Sequence, residues 1–219
     1  MIKAITNVSK LTLFVAVLVF SGMANAITIS GGEIFTVDWF VDLDDGITSS
    51  DLTATSTWTV SSFNATEILL DININNTTVL ETGILDEAAI VSFGFGVEPD
   101  ATVALATAGS VFDLVSDGNG TQQTFPGGFK QIDVCLFADG CTGGDVKNGL
   151  QAGASDTLQV LLSGAFGTSA DLLFFPAKFQ TTLGSFEPGG STSIPEPSAL
   201  VLMGLGLLGL SFTRRWKLN

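Results

Sequence analysis

The chain has 219 residues, with 22 acidic side chains against eight basic ones, no His, no Tyr, and a formal net charge of −14. That length suits one ordinary domain plus targeting segments. The absence of His excludes the Ser-His-Asp and Cys-His triads, and a surface this acidic repels phosphate, which excludes nucleic acid and anionic lipid headgroups as partners.

Residues 1–26 combine Lys3 and Lys10, an apolar run at 11–20 and the small-x-small triplet Ala24-Asn25-Ala26. These are the parts of a secretory signal peptide, with signal peptidase expected to cut after Ala26. The run is about half of the roughly 20 residues that span a bilayer, which argues against a permanent anchor. From Ile27 to Ile194 only Lys130, Lys147 and Lys178 are basic against 21 acidic residues, so 3 minus 21 gives a net of −18. Such acidity keeps an exported domain soluble; affinity for divalent cations or basic polymers is the alternative reading.

From residue 34 the dominant period is two. At 52–60 the positions Thr53, Thr55, Thr57 and Thr59 alternate with mostly apolar residues, the pattern of a half-buried strand with a hydroxyl face. Phe35, Val37, Trp39 and Val41 share a face at 34–41, and Ile68, Leu70, Ile72 and Ile74 do so at 68–74. Further strands are expected at 90–97, 111–115, 131–137, 157–163 and 172–180, while 85–89 and 101–108 read as short helix or strand. Turn chemistry separates them, as in Asp44-Asp45-Gly46, Asp117-Gly118-Asn119-Gly120 and Pro126-Gly127-Gly128. About eight or nine strands with no room for crossover helices predict an all-β fold. The architecture expected for 27–186 is an antiparallel β-sandwich, Ig-like or jelly-roll-like.

Candidate chemistry is sparse. Glycoside cleavage needs two carboxylates across a cleft, and no spacing singles out such a pair here. The loop Asp42-Leu43-Asp44-Asp45-Gly46 invites comparison with calcium loops. Its Gly is fifth rather than sixth and no Glu closes it, so it reads as a solvated turn, with calcium at Asp42, Asp44 and Asp45 as the alternative and no other cofactor expected. Cys135 and Cys141 flank a Gly-containing loop in the exported part, where a local disulfide forms readily. A zinc site would need further Cys or His ligands. Trp39 and Trp58 read as core rather than sugar-stacking platforms, and the Thr face as an ordinary exposed strand face, with an adhesive or ice-like surface as the sharper alternative. The sequons at Asn64, Asn76 and Asn119 read as Thr-rich strand sequence.

Past Phe186, residues 187–194 are rich in Gly, Pro and Ser and read as a flexible linker. Then come Pro195-Glu196-Pro197, an apolar stretch expected to be helical over about 198–213, and a basic end in Arg214, Arg215 and Lys217. The 14 apolar residues from Ala199 to Phe212 rise about 21 Å as a helix, short of the roughly 30 Å hydrocarbon core. A short transmembrane helix of this kind, held by its basic end on the cytoplasmic side, suits a transient hold on the membrane.

Pro195-Glu196-Pro197, the apolar stretch and the basic end together resemble the PEP-CTERM signal, read in bacteria by an exosortase. The resemblance implies export across the inner membrane of a Gram-negative bacterium, transient anchoring, then release to the cell surface or extracellular matrix. The block Val134-Cys135-Leu136-Phe137-Ala138-Asp139-Gly140-Cys141-Thr142-Gly143-Gly144, with Leu52-Thr53-Ala54, Gly149-Leu150, Asp156-Thr157-Leu158 and Lys178-Phe179-Gln180, resembles the cistern family of PEP-CTERM proteins. Lys178 stands where that family would have Arg. These resemblances imply a non-enzymatic structural or adhesive module associated with exopolysaccharide and biofilm. The alternatives are an exported carboxylate-dependent glycoside hydrolase or a calcium- or carbohydrate-binding module.

Overall fold

Alternating side chains commit this chain to strands, and the strands stack into two layers. The structure, a computed structural model, describes residues 26–43, 50–117, 125–129 and 132–194. Ala24, Asp44, Asp45, Gly46, Asn119, Lys130 and the tail residues Pro195, Glu196, Pro197, Arg214, Arg215 and Lys217 lie outside the described residues.

One sheet is built on β1 (Ala26–Ile29), β5 (Ala88–Glu98), β7 (Leu114–Asp117), β8 (Val134–Phe137), β9 (Leu150–Gln151), β11 (Ala170–Leu173), β12 (Ala177–Thr181) and β13 (Gly184–Phe186). The long β5 is its axis. β11 and β12 pair with one of its edges, and β8 and β9 with the other. The second sheet runs β14 (Ser191–Ser193), β2 (Ile34–Val41), β3 (Leu52–Phe63), β4 (Glu67–Asn76), β10 (Ser155–Gly164), β6 (Ala101–Thr107), in that order and antiparallel throughout. The antiparallel β-sandwich read from the sequence is the fold.

Between the sheets lies one aromatic-rich core. Trp58 of β3 is fully buried, stacked on Phe35 and edge-on to Phe93, Phe95 and Phe175. Its indole N–H donates to Ser56 Oγ at 2.7 Å, and that of Trp39 to the Phe175 carbonyl at 2.7 Å, so each ring is buried with its polar atom satisfied. Both tryptophans are core, as the alternation predicts.

A bulge decides which way β5 faces. Its register against β12 slips between Lys178 and Phe179, leaving Val91 extra. Ala88 and Ile90 on one side of the slip, and Phe93, Phe95 and Val97 on the other, therefore all point into the same core.

Four differences from the sequence reading have physical causes. The stretch 172–180 is two strands, because Phe174 (φ 71°) and Phe175 (φ 41°) take left-handed backbone between them. That conformation is unfavourable for a bulky residue and must be held from outside. Here the Phe175 carbonyl accepts from both Trp39 Nε1 and the Gly190 N–H while its ring is fully buried. A Cβ on Gly190 would run into Val37 and the Phe175 carbonyl. Secondly, 101–108, helix or strand from sequence, is strand β6 over Ala101–Thr107. Thirdly, β1, β9, β13 and β14 raise the described strands to 14; each has two to four residues, too few for a period to register.

Fourthly, 187–194, read as a flexible linker, joins the body. Glu187 pairs with Lys178, Pro188 O accepts from Ala177 N at 3.0 Å, and Ser191–Ser193 forms β14 on the edge of β2. The sandwich thus runs through Ser193 rather than ending at Phe186. Among the described residues no helix is long and apolar enough to cross a membrane, and the expected short transmembrane helix of the tail falls outside them.

Candidate functional site

The two outer faces of the sandwich differ, and the difference locates the candidate site. The outer face of the first sheet is covered. Cys135 on β8 is joined to Cys141, and this loop lies over β5, where the Ser92 hydroxyl donates to Cys141 O at 3.0 Å. Glycines make the close approach feasible, since a Cβ on Gly149 would press on Ile90 O and the side chains of Ala89 and Val91. Phe125, Ile132 and the two cysteines form a second small core there, flanked by Phe129, Phe137 and Phe174. Asp139 braces the loop by accepting from Asp145 N and Asn148 Nδ2.

Beneath this lobe lies Lys178, 5 % exposed, whose ammonium meets Glu187 Oε1 at 2.5 Å. A cation so nearly buried requires a partner. The Lys178–Glu187 pair fastens the residues leading into β14 onto β12, which gives Lys178 a structural task.

A second internal carboxylate is Asp156 on β10, 5 % exposed. Its Oδ1 accepts from Ser110 N (2.8 Å), Ser110 Oγ (2.9 Å) and Thr157 N (3.0 Å), and its Oδ2 from Val111 N (3.0 Å) and Phe112 N (2.9 Å). Burial alone would raise this carboxyl, but the N–H groups of Phe112, Ser110 and Val111 and the Ser110 hydroxyl outweigh it and hold the group below its ordinary value. Asp133 goes the other way: burial outweighs the hydrogen bond from Val97 N–H, and nearby Asp100 adds to the rise. Both carboxylates accept from backbone N–H groups and so tie their strands to neighbouring segments of chain.

The outer face of the second sheet is open, and strand register turns it into a lattice of hydroxyl and amide groups with Asp38 and Asp71 among them. Ser193 lies opposite Thr36, Thr36 opposite Thr57, Thr57 opposite Asn73, and Asn73 opposite Thr157. Five strands thus carry one hydroxyl/amide row about 19 Å long at the usual strand spacing of about 4.8 Å. A parallel row continues through Ser191, Asp38, Thr55, Asn75 and Ser155, and another through Thr59, Asp71, Gln159 and Thr107. Side chains link along the rows: Thr36 to Ser193 at 2.6 Å, Asn73 Nδ2 to Thr157 Oγ1 at 2.8 Å, Gln159 Nε2 to Asp71 Oδ1 at 2.6 Å, and Thr107 Oγ1 to Gln159 Oε1 at 2.8 Å. Phe40, on the same face and opposite Thr53, is 59 % exposed.

The Thr face read from Thr53, Thr55, Thr57 and Thr59 is one column of this lattice. Asn73, Asn75, Thr157 and Gln159 escaped the sequence reading although they alternate with buried Ile72, Ile74, Leu158 and Val160; their own alternation was the signal.

Other predicted residues are placed more plainly. Asp42 is exposed beyond β2, and among the described residues no group of three or more His, Cys, Asp or Glu is placed to hold a metal. Asn64 caps the turn from β3 to β4, its Oδ1 accepting from Thr66 and Glu67 N–H, while Asn76 is buried with its Nδ2 on Ala88 O and Leu150 O. Ala26 opens β1, and Ile27, the residue after the expected cut, is 3 % exposed opposite Leu172.

The last described strand ends at Ser193, and Ile194 follows it, 56 % exposed. No curated protein matches the chain. The family model for the PEP-CTERM protein-sorting motif matches residues 193–215, beginning on the final residue of β14 and containing Pro195-Glu196-Pro197, the apolar stretch, Arg214 and Arg215. The chain therefore carries a PEP-CTERM protein-sorting motif, which implies export, processing by an exosortase and sorting to the cell surface.

Proposed function

We propose that the β-sandwich is a non-enzymatic structural or adhesive module of the cell surface or extracellular matrix, and that it holds neutral exopolysaccharide on the outer face of its second sheet. The supporting observation is the hydroxyl/amide row Ser193, Thr36, Thr57, Asn73 and Thr157, with Phe40 exposed beside it. Sugar hydroxyls are both donors and acceptors, so a surface of Thr, Asn and Gln side chains matches them at many points, and an exposed ring adds apolar contact for a sugar face. The acidic body disfavours anionic glycans. A Gram-negative origin and a place in a biofilm matrix belong to this reading, and the sorting motif supports it. The body's resemblance to the cistern family accords with this reading.

Retention tests it. The exported protein should be slowed in native gels containing a neutral polysaccharide and release no shortened products. Phe40→Ala with Asn73→Ala should abolish the retardation while leaving the thermal melt unchanged. Release of oligosaccharides would overturn the reading in favour of a carboxylate-dependent hydrolase; equal mobility with and without glycan would overturn it in favour of a purely structural role.

A further inference from the structure

Sheet edges are where folded β-proteins meet other chains, and this sandwich protects its edges unequally. β1, β7, β13 and β14 have only three or four residues each. β6 has seven, Ala-Thr-Val-Ala-Leu-Ala-Thr, and among the described residues its one ladder partner is β10. Natural edge strands are usually blunted by charge, by proline or by brevity, because a bare row of N–H and C=O groups recruits further strands. β6 has no charge and no proline. Its one irregularity is a slip in register against β10 between Gln159 and Val160 that makes Ala106 the extra residue, leaving Ala101–Leu105 regular.

We propose that β6 is a self-association edge, pairing antiparallel with β6 of a second copy to continue the second sheet from one molecule into the next. A two-fold pairing centred on Val103 sets Ala101 opposite Leu105 and Thr102 opposite Ala104. Ala101, Val103 and Leu105, which pack against the core, then meet only one another, and the outward side chains at the join are small. Asp100, the nearest acid before the strand, comes opposite Ala106 rather than another carboxylate. The edge carries no charge to attract an oppositely charged partner, but it is complementary to itself. Association of this kind must overcome repulsion between two acidic bodies, so it strengthens with salt, the reverse of a charge-driven contact. This inference does not depend on glycan binding, since the paired edge leaves the outer face of the sheet free.

Sedimentation equilibrium of the exported protein, at rising concentration and at two salt levels, tests it. The weight-average mass should climb from one copy toward two, and climb sooner in high salt. Ala104→Lys, at an exposed outward position, brings two like charges together beside the two-fold axis and should weaken association by about tenfold or more. The added lysines also lower the overall negative charge, so a loss of association cannot be ascribed to general repulsion. Thr102→Cys with Ala104→Cys should give a reducible covalent dimer under mild oxidation. A protein monomeric at every concentration and salt level overturns the proposal. So does an Ala104→Lys variant with wild-type melting that dimerises as before.

Discussion

Replacing Asp156 removes a whole knot of hydrogen bonds at one stroke. Its carboxylate accepts five hydrogen bonds, four of them from the Ser110–Phe112 crossing out of β6 and one from Thr157 N. Asp156→Ala strands three consecutive backbone N–H groups that have turned away from any strand to meet it. Each unsatisfied buried donor costs about 1–3 kcal/mol, and partial hydration at a 5 % exposed site reduces the total to about 3–5 kcal/mol. Asp156→Asn keeps the shape but points an amide at donors and should cost about 2–4 kcal/mol. Urea unfolding followed by tryptophan fluorescence measures both, because Trp39 and Trp58 are buried.

The pH dependence identifies the cause. The folded carboxyl lies below its ordinary value of 3.8, so its contribution is fully present above that value and is lost as pH falls through the folded value. The stability gap between wild type and Asp156→Asn should therefore be constant from pH 7 to pH 5 and close in stronger acid. A loss below about 1 kcal/mol for Asp156→Ala, or a gap unchanged at the lowest pH, would refute the reasoning.

Glu187→Ala leaves the Lys178 ammonium nearly buried without its partner and should cost about 2–4 kcal/mol, whereas Lys178→Met with Glu187→Leu should fall within about 1 kcal/mol of wild type; urea titrations compare them. Cys135→Ser with Cys141→Ser opens a link between residues six apart and should lower stability by about 2 kcal/mol, with alkylation before and after reduction verifying the bridge in the parent. Intact-mass measurement of the surface form should find a C-terminus that lacks the end of the 193–215 motif; recovery of full-length chain alone from cells carrying the exosortase would contradict processing.

The layers of the fold were legible wherever a strand had one wet face. Phe35, Val37 and Trp39, or Ile68, Leu70 and Ile72, declare their buried side by alternation alone. β6 was ambiguous because Ala and Thr between them favour neither helix nor strand, and its neighbours in β10 made the choice. The break at Phe174-Phe175 was hidden, since nothing in two phenylalanines signals left-handed backbone; it depends on Trp39 and Gly190, both distant in sequence. β14 was hidden by composition, a Gly/Ser/Thr run being identical on paper to a linker. The Asp156 clamp reaches back 44–46 residues and has no local trace. Of the candidate face, its Thr column could be read directly, but the rows could not, because a row exists only once register is fixed. The sorting motif was legible in full, being a local address rather than a product of folding.

The end of β14 at Ser193 also sets a length. From its Cα to that of Pro195 are two residue steps, at most about 7 Å of chain. Whatever grips Pro195-Glu196-Pro197 therefore holds the folded sandwich almost at arm's length zero, with no slack to swing the acidic bulk aside. The bulk of the cargo becomes part of what the processing enzyme must admit. Peeling Ser191–Ser193 off β2 would free three more residues, about 10 Å, and would give up the Thr36–Ser193 contact that completes the polar row. Bearing the row and tethering the body are thus rival uses of the same three residues.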